Sequence, residues 1–252
     1  MSASKSSSYE ILTLESNDQQ RTVDIRTGTV SVDYYEDIFS PTITAKIKVA
    51  NTGTSIVSKD NPDGPKQSIY HGLPLRGGER LRMKILDRGD GKLGLDFATD
   101  PSKYLFVSSI TDVVSETQRE SFTLNLVSRE AITNETTRVI KKYNTGSTID
   151  NSVKSILRDI LKTDKFSDQS IEKAQNKYGF VGNLRKPFSV LVWLAAKSVP
   201  VSSGDATAGF FFYQTQDGFS FKSIDGLISQ EPKATYIESQ VNKGDTERNN
   251  DF

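Results

Sequence analysis

The chain has 252 residues, of which 35% are hydrophobic and 25% charged, and its 32 basic and 32 acidic side chains give a formal net charge of zero. It has no cysteine, which excludes disulfides, zinc–thiolate centres, iron–sulfur clusters and thiol nucleophiles, and its one histidine, His71, would have to carry alone any serine triad or histidine metal site. Zero net charge supplies no bulk attraction to nucleic acid or an anionic membrane, and no apolar run approaches the ~20 residues that span a bilayer.

The predicted elements divide the chain near residue 130. Residues 1–8 are polar and read as a disordered N-terminus. Residues 9–130 read as strands and turns. Val23–Ile25 leads into Thr29–Glu36. In the next run Ile43, Ala45, Ile47 and Val49 alternate with Thr44, Lys46 and Lys48, a period of two that buries one face and wets the other. A loop is expected over 58–68, and His71 falls in a turn-like segment ahead of Pro74. A strand through Leu81, Met83 and Ile85 follows, then a turn at Asp87–Gly91, a strand over Tyr104–Ile110, a polar connection over Glu116–Glu120 and an alternating run from Phe122 to Ser128. Short strands with regular turn signals point to a small antiparallel barrel or sandwich.

Beyond residue 130 the period changes. Val153, Ile156, Leu157, Ile160 and Leu161 keep helical spacing, with Thr148 or Asp150 placed to cap the helix start. A second helix is expected over Pro187–Val199. Proline suits its first position, and Val190, Leu191, Trp193, Leu194 and Ala195 make it apolar on most sides, so a central place with Trp193 buried is expected. Phe210–Thr215 and Phe219–Ile224 flank Asp217-Gly218, a strong hairpin signal. The expected fold class is therefore α+β and mainly β: an antiparallel barrel over 9–130, then an α+β domain over 131–238 with a central apolar helix and an aromatic hairpin, then a polar tail over 239–252.

Candidate chemistry is sparse. Asp87–Gly91 lacks the alternating acidic ligands of a calcium loop and reads as a polar turn. Leu75–Arg80 is glycine-rich but has no lysine-serine or lysine-threonine to complete a phosphate cradle, and reads as a turn with charged residues pairing at the mouth of a strand. Neither Glu36 with Asp37 nor Glu116 with Glu120 shows a sign of converging as an acid–base pair. The aromatics at 210–213 and 219–221 have only Lys222 as a basic neighbour, which favours a packed hairpin or subunit interface over base stacking. No catalytic, cofactor-binding or metal residue is expected, and an enzyme is not.

The segments Asp33–Phe39, Pro74–Glu79, Ser128–Glu135, Lys186–Ala195, Gly209–Thr215 and Asp217–Ile224, in this order, resemble the baseplate hub protein of contractile-tailed bacteriophages, especially the T-even-like versions of cyanophages. The resemblance runs from about Tyr9 to Tyr236. It implies a structural, non-enzymatic homotrimer of the virion tail baseplate, assembled in the host cytoplasm, that joins the hexameric tail tube protein to a trimeric central spike protein beside neighbouring wedge proteins. Two tube-like barrels per subunit would form a pseudo-six-fold ring. The second barrel is expected to begin near residue 239, so the chain reads as a fragment or as a hub whose second barrel is missing or supplied elsewhere. By the same analogy, strands 29–49 and the loop 51–72 are expected contact surfaces, with Tyr34, Tyr35, Phe39, Ile43, Phe211 and Tyr213 as interface residues. The alternative is an accessory protein of a tail-associated carbohydrate-active enzyme or cell-wall hydrolase. A third reading, a nucleic-acid-binding barrel, is disfavoured by the charge balance.

Overall fold

Alternation of period two builds the first part of the chain. The computed structural model describes residues 8–51, 68–73, 75–86, 94–115, 120–201 and 209–232. The first part contains β1 (Ser8–Glu15), β2 (Thr22–Asp24), β3 (Thr29–Tyr35), β4 (Thr44–Asn51), the single helical turn α1 (Ile69–Gly72), β5 (Arg80–Leu86), β6 (Leu95–Phe97), β7 (Leu105–Ser115) and β8 (Glu120–Ser128). These strands form one antiparallel sheet in the order β2-β1-β5-β7-β8-β4-β3, with β6 paired to β5. In β8, Phe122, Leu124 and Leu126 face inward while the residues between them are half-exposed.

The sheet wraps around its own core. Leu12 and Leu14 of β1 share one buried cluster with Ile47 and Val49 of β4, although the two strands lie far apart in the ladder order. A 3-10 turn at Arg26–Gly28 carries the chain from β2 to β3 and touches both β1 and β4. At Gly28 a side chain would approach the Ala50 carbonyl to 3.0 Å, so the close crossing favours glycine. Among the described residues no ladder joins β2 to β3, and both remain sheet edges.

The second part contains α2 (Arg129–Thr136), β9 (Lys142–Tyr143), α3 (Ile149–Ser155) continuing as a π-type turn over Ile156–Ile160, β10 (Phe180–Val181), α4 (Pro187–Ala195), β11 (Phe210–Thr215), β12 (Gly218–Ser223) and α5 (Ile224–Ile228). It has its own core, in which Val153, Ile156, Leu157 and Leu161 meet Val190, Leu191 and Leu194 and the rings of Phe212, Phe219 and Phe221. The rings of Phe212 and Phe219 stack at 5.6 Å and Phe210 lies 4.8 Å from Phe221. At Gly218, with φ +127°, a Cβ would stand 2.2 Å from the Lys165 carbonyl, which itself accepts the Phe219 N–H at 2.6 Å. The Asp-Gly signal therefore marks both the hairpin turn and its docking point.

Several expectations need correction. Ser8, expected in the disordered N-terminus, opens β1. The second helix ends at Ala195 rather than Val199, because the Val199 N–H leaves the helix for the Asn176 side chain at 3.0 Å. Trp193 is half-buried and sits at the rim of the core, edge-on to Tyr178 and Phe180 at 5.4 and 5.6 Å. Thr148 holds the cap position of α3, but its hydroxyl accepts from the Asn151 amide, and the Asp150 carboxylate instead accepts the Ala174 N–H at 3.2 Å. Glu120 belongs to β8 and is buried, accepting from the Ser68 hydroxyl and the Tyr70 N–H. Among the described residues Glu79 pairs with no cation. It is fully buried and accepts the N–H groups of Arg76 and Gly77 and the Asn17 amide at 2.7–3.1 Å. The turn at Asp87–Gly91, most of the loop 51–72 and the tail 239–252 lie outside the described residues, as does the side chain of His71.

Candidate interaction surface

Residues 36–43 connect β3 to β4 and turn against the β11–β12 hairpin. The Phe39 ring meets Phe211 edge-on at 5.3 Å. The Ile43 N–H donates to the Gln214 side-chain oxygen at 3.3 Å, within the protein interior. Glu36 accepts from the Gln216 N–H at 2.6 Å and from the Tyr34 hydroxyl at 2.7 Å. Tyr34 also packs on Phe97, with ring centroids 5.4 Å apart. Its burial, followed by the hydrogen bond to Glu36 and the charges of Glu36 and Asp217, pushes the phenol pKa strongly upward, so Tyr34 remains a neutral donor.

The six residues expected at an interface thus fall on or beside one junction inside the chain. Ile43 is 2% exposed in the first core and Tyr213 is 8% exposed, so neither offers surface. Tyr34 and Phe211 are half-buried. Tyr35 at 49% and Phe39 at 74% exposure face outward, beside Ile38 at 42%. Sequence reasoning missed Gln214, Gln216 and Glu36 as the polar ties of this junction. Ile43 and Gln214 are 171 positions apart, and no local pattern links them.

The outward part of the junction is a small knob. Ile38 and Phe39 supply apolar surface, and Glu36, Asp37 and Asp217 are exposed around them. Asp37 accepts the Phe39 N–H at 2.9 Å, which fixes the turn that presents the ring. Glu36 and Asp37 are therefore used in the hydrogen bonds that build the junction. Among the described residues no group of three or more histidine, aspartate or glutamate side chains is arranged to hold a metal, and no helix is long and apolar enough to cross a membrane.

No protein-family model matches the chain, and no curated protein matches it by sequence. Solved structures do. The tail protein from Neisseria meningitidis MC58 superposes with a TM-score of 0.53 at 11% identity, covering 92% of this chain and 57% of that one. The 43 kDa tail protein of prophage MuSo2 from Shewanella oneidensis superposes with a TM-score of 0.51 at 8% identity, covering 85% of this chain and 53% of that one. This is a likeness of fold, and the chain spans little more than half the length of either tail protein.

Proposed function

We propose that the chain is a structural subunit of a phage-type tail, and more specifically a baseplate hub that assembles as a trimer between the tail tube and the central spike. The observation that carries this reading is the fold shared along nearly the whole chain with two tail proteins. The ordered segments that resemble contractile-tail hubs support it independently, as does a wrapped antiparallel sheet of the kind a tube-like barrel requires. In this role the surfaces and symmetry of the chain are its function, and no catalysis is required of it. Tube protein, spike protein and wedge proteins are the expected partners. Native mass spectrometry of the full-length protein over a range of concentrations tests the reading. A trimer is expected, and a strict monomer at high concentration sinks the hub assignment. Turnover of cell-wall glycan by the purified protein would favour the hydrolase-accessory alternative instead.

A further inference from the structure

The outer face of the first sheet carries a cleft of about 660 Å³ between β5, β7 and α2. Its walls are apolar at Pro101, Phe106 and Ile132, and its rim carries Arg80 and Arg129. Arg82 lies over the Tyr104 ring at 5.7 Å, and its buried Nε has no hydrogen-bond acceptor. Among the described residues none of these three guanidinium groups pairs with a carboxylate, and Glu15, the cross-strand neighbour of Arg80, stands beyond ion-pair distance. Arg80 is met by Gln19, whose amide oxygen accepts from both terminal nitrogens at 3.1 and 2.9 Å once the amide is turned toward them. A concave, partly apolar site edged with guanidinium groups whose charge no carboxylate balances suits an apolar side chain flanked by carboxylates.

The knob at the β3–β4 turn has that composition. It presents Phe39 and Ile38 beside Asp37, Glu36 and Asp217, none of them in an ion pair among the described residues. The register places the two features at the same end of the sheet. Tyr35 pairs with Thr44, Thr44 with Val127, Val127 with Phe106, and Phe106 with Arg80. From Tyr35, beside the knob, to Phe106 in the cleft is three strand spacings, or ~15 Å. Two different, complementary surfaces at one level of the molecule make a head-to-tail contact, and such a contact closes a ring when the rotation allows it.

We infer that the acidic, aromatic knob of one copy docks in the arginine cleft of the next, and that this contact builds the oligomer; the inference rests on the proposed hub reading. The test uses the full-length protein and two variants, each removing one side of the contact. Arg129→Glu alters the cleft and is safe for folding, since an acid suits the first turn of a helix. Asp37→Lys alters the knob. In native mass spectrometry each variant alone is expected to associate about tenfold or more weakly than the wild type. In an equimolar mixture Asp37 of one variant faces Arg129 of the other, and the introduced lysine faces the introduced glutamate, so both mixed contacts pair opposite charges and association is expected to return. Thermal melting of each variant checks that it is folded. A wild-type trimer that persists in both variants, or folded variants that fail to associate on mixing, overturns this contact and leaves the hub reading standing. A wild type that stays monomeric throughout overturns both.

Discussion

The two regions of the molecule bury their interiors by different means. The sheet region, β1 to β8, has a largely aliphatic interior of regular alternation, with Phe97 and Phe122 as its buried rings, and its turns are fastened by buried carboxylates: Glu79 holds the turn before β5, and Glu120 holds the start of α1. The region from α2 to α5 has little regular pairing. Its interior is held by stacked rings, by side chains that reach across loops such as Asp150 and Asn176, and by the shielded pair of Lys165 with Glu130 at 3.1 Å. Where backbone pairing covers most of the chain, polar groups are satisfied by the ladder and the core can be uniform. Where it does not, side chains must satisfy the backbone one at a time, and large aromatic rings fill the irregular space.

The strongest way to break this contrast is Phe219→Ala. Phe219 is fully buried between Phe188 and Phe212, and its loss leaves a cavity that short strands cannot close. A cost of about 3–5 kcal/mol is expected in urea denaturation. Trp193→Ala, at the rim, should cost clearly less. Hydrogen exchange localises the damage: amides from β9 to α5 are expected to lose protection before those of β4 and β8. Equal loss in both regions would show that the Ile43–Gln214 tie makes the two cores one cooperative unit.

This contrast also governs how much was legible in the sequence. β4, β8 and the β11–β12 hairpin were readable because their signals are local: period two, or Asp-Gly between aromatic runs. α2 gives no local helix signal, because Arg129–Thr136 is largely polar and buries Glu130 and Asn134 rather than an apolar stripe. Asn134 instead accepts the Phe188 N–H at the start of α4, a contact spanning 54 positions. The expected interface residues gather on or beside one junction, and several of them pack within the chain. A sequence shows which side chains seek burial and does not show whether their cover comes from the same chain or another.

A mutation of middle size sharpens the other side of the contrast. Glu79→Ala removes the acceptor for two backbone N–H groups and the Asn17 amide at a turn where Gly77 and Gly78 both have positive φ, +99° and +91°. Leaving these donors unsatisfied should cost about 1–3 kcal/mol. Glu79→Gln keeps an acceptor and should recover part of the loss. If alanine is tolerated at no cost in denaturation, the turn is held by its glycines and the ladder alone.

The smallest effect separates the regions by pH and salt together. Burial pushes the Asp96 carboxyl up, but hydrogen bonds from the Thr99 hydroxyl and the N–H groups of Ala98 and Thr99, with the charge of Lys84, outweigh it and hold the pKa at about 2. Asp168 in the second region is held below the usual carboxylate range chiefly by Lys154, through a hydrogen bond and its charge. Both folded pKa values lie below the unfolded one, so both contributions are complete above about pH 4 and fade as pH falls through the folded value. Neutral donors do most of the holding at Asp96, whereas a surface cation does it at Asp168, and salt screens only the latter strongly. Denaturation midpoints measured between pH 6 and pH 2, at low and high salt, should therefore show an acid loss that Asp96→Asn reduces at either salt concentration. The share that Asp168→Asn removes should shrink in high salt. Equal salt sensitivity at both sites would mean that the turn at Asp96 depends on Lys84 rather than on its neutral donors.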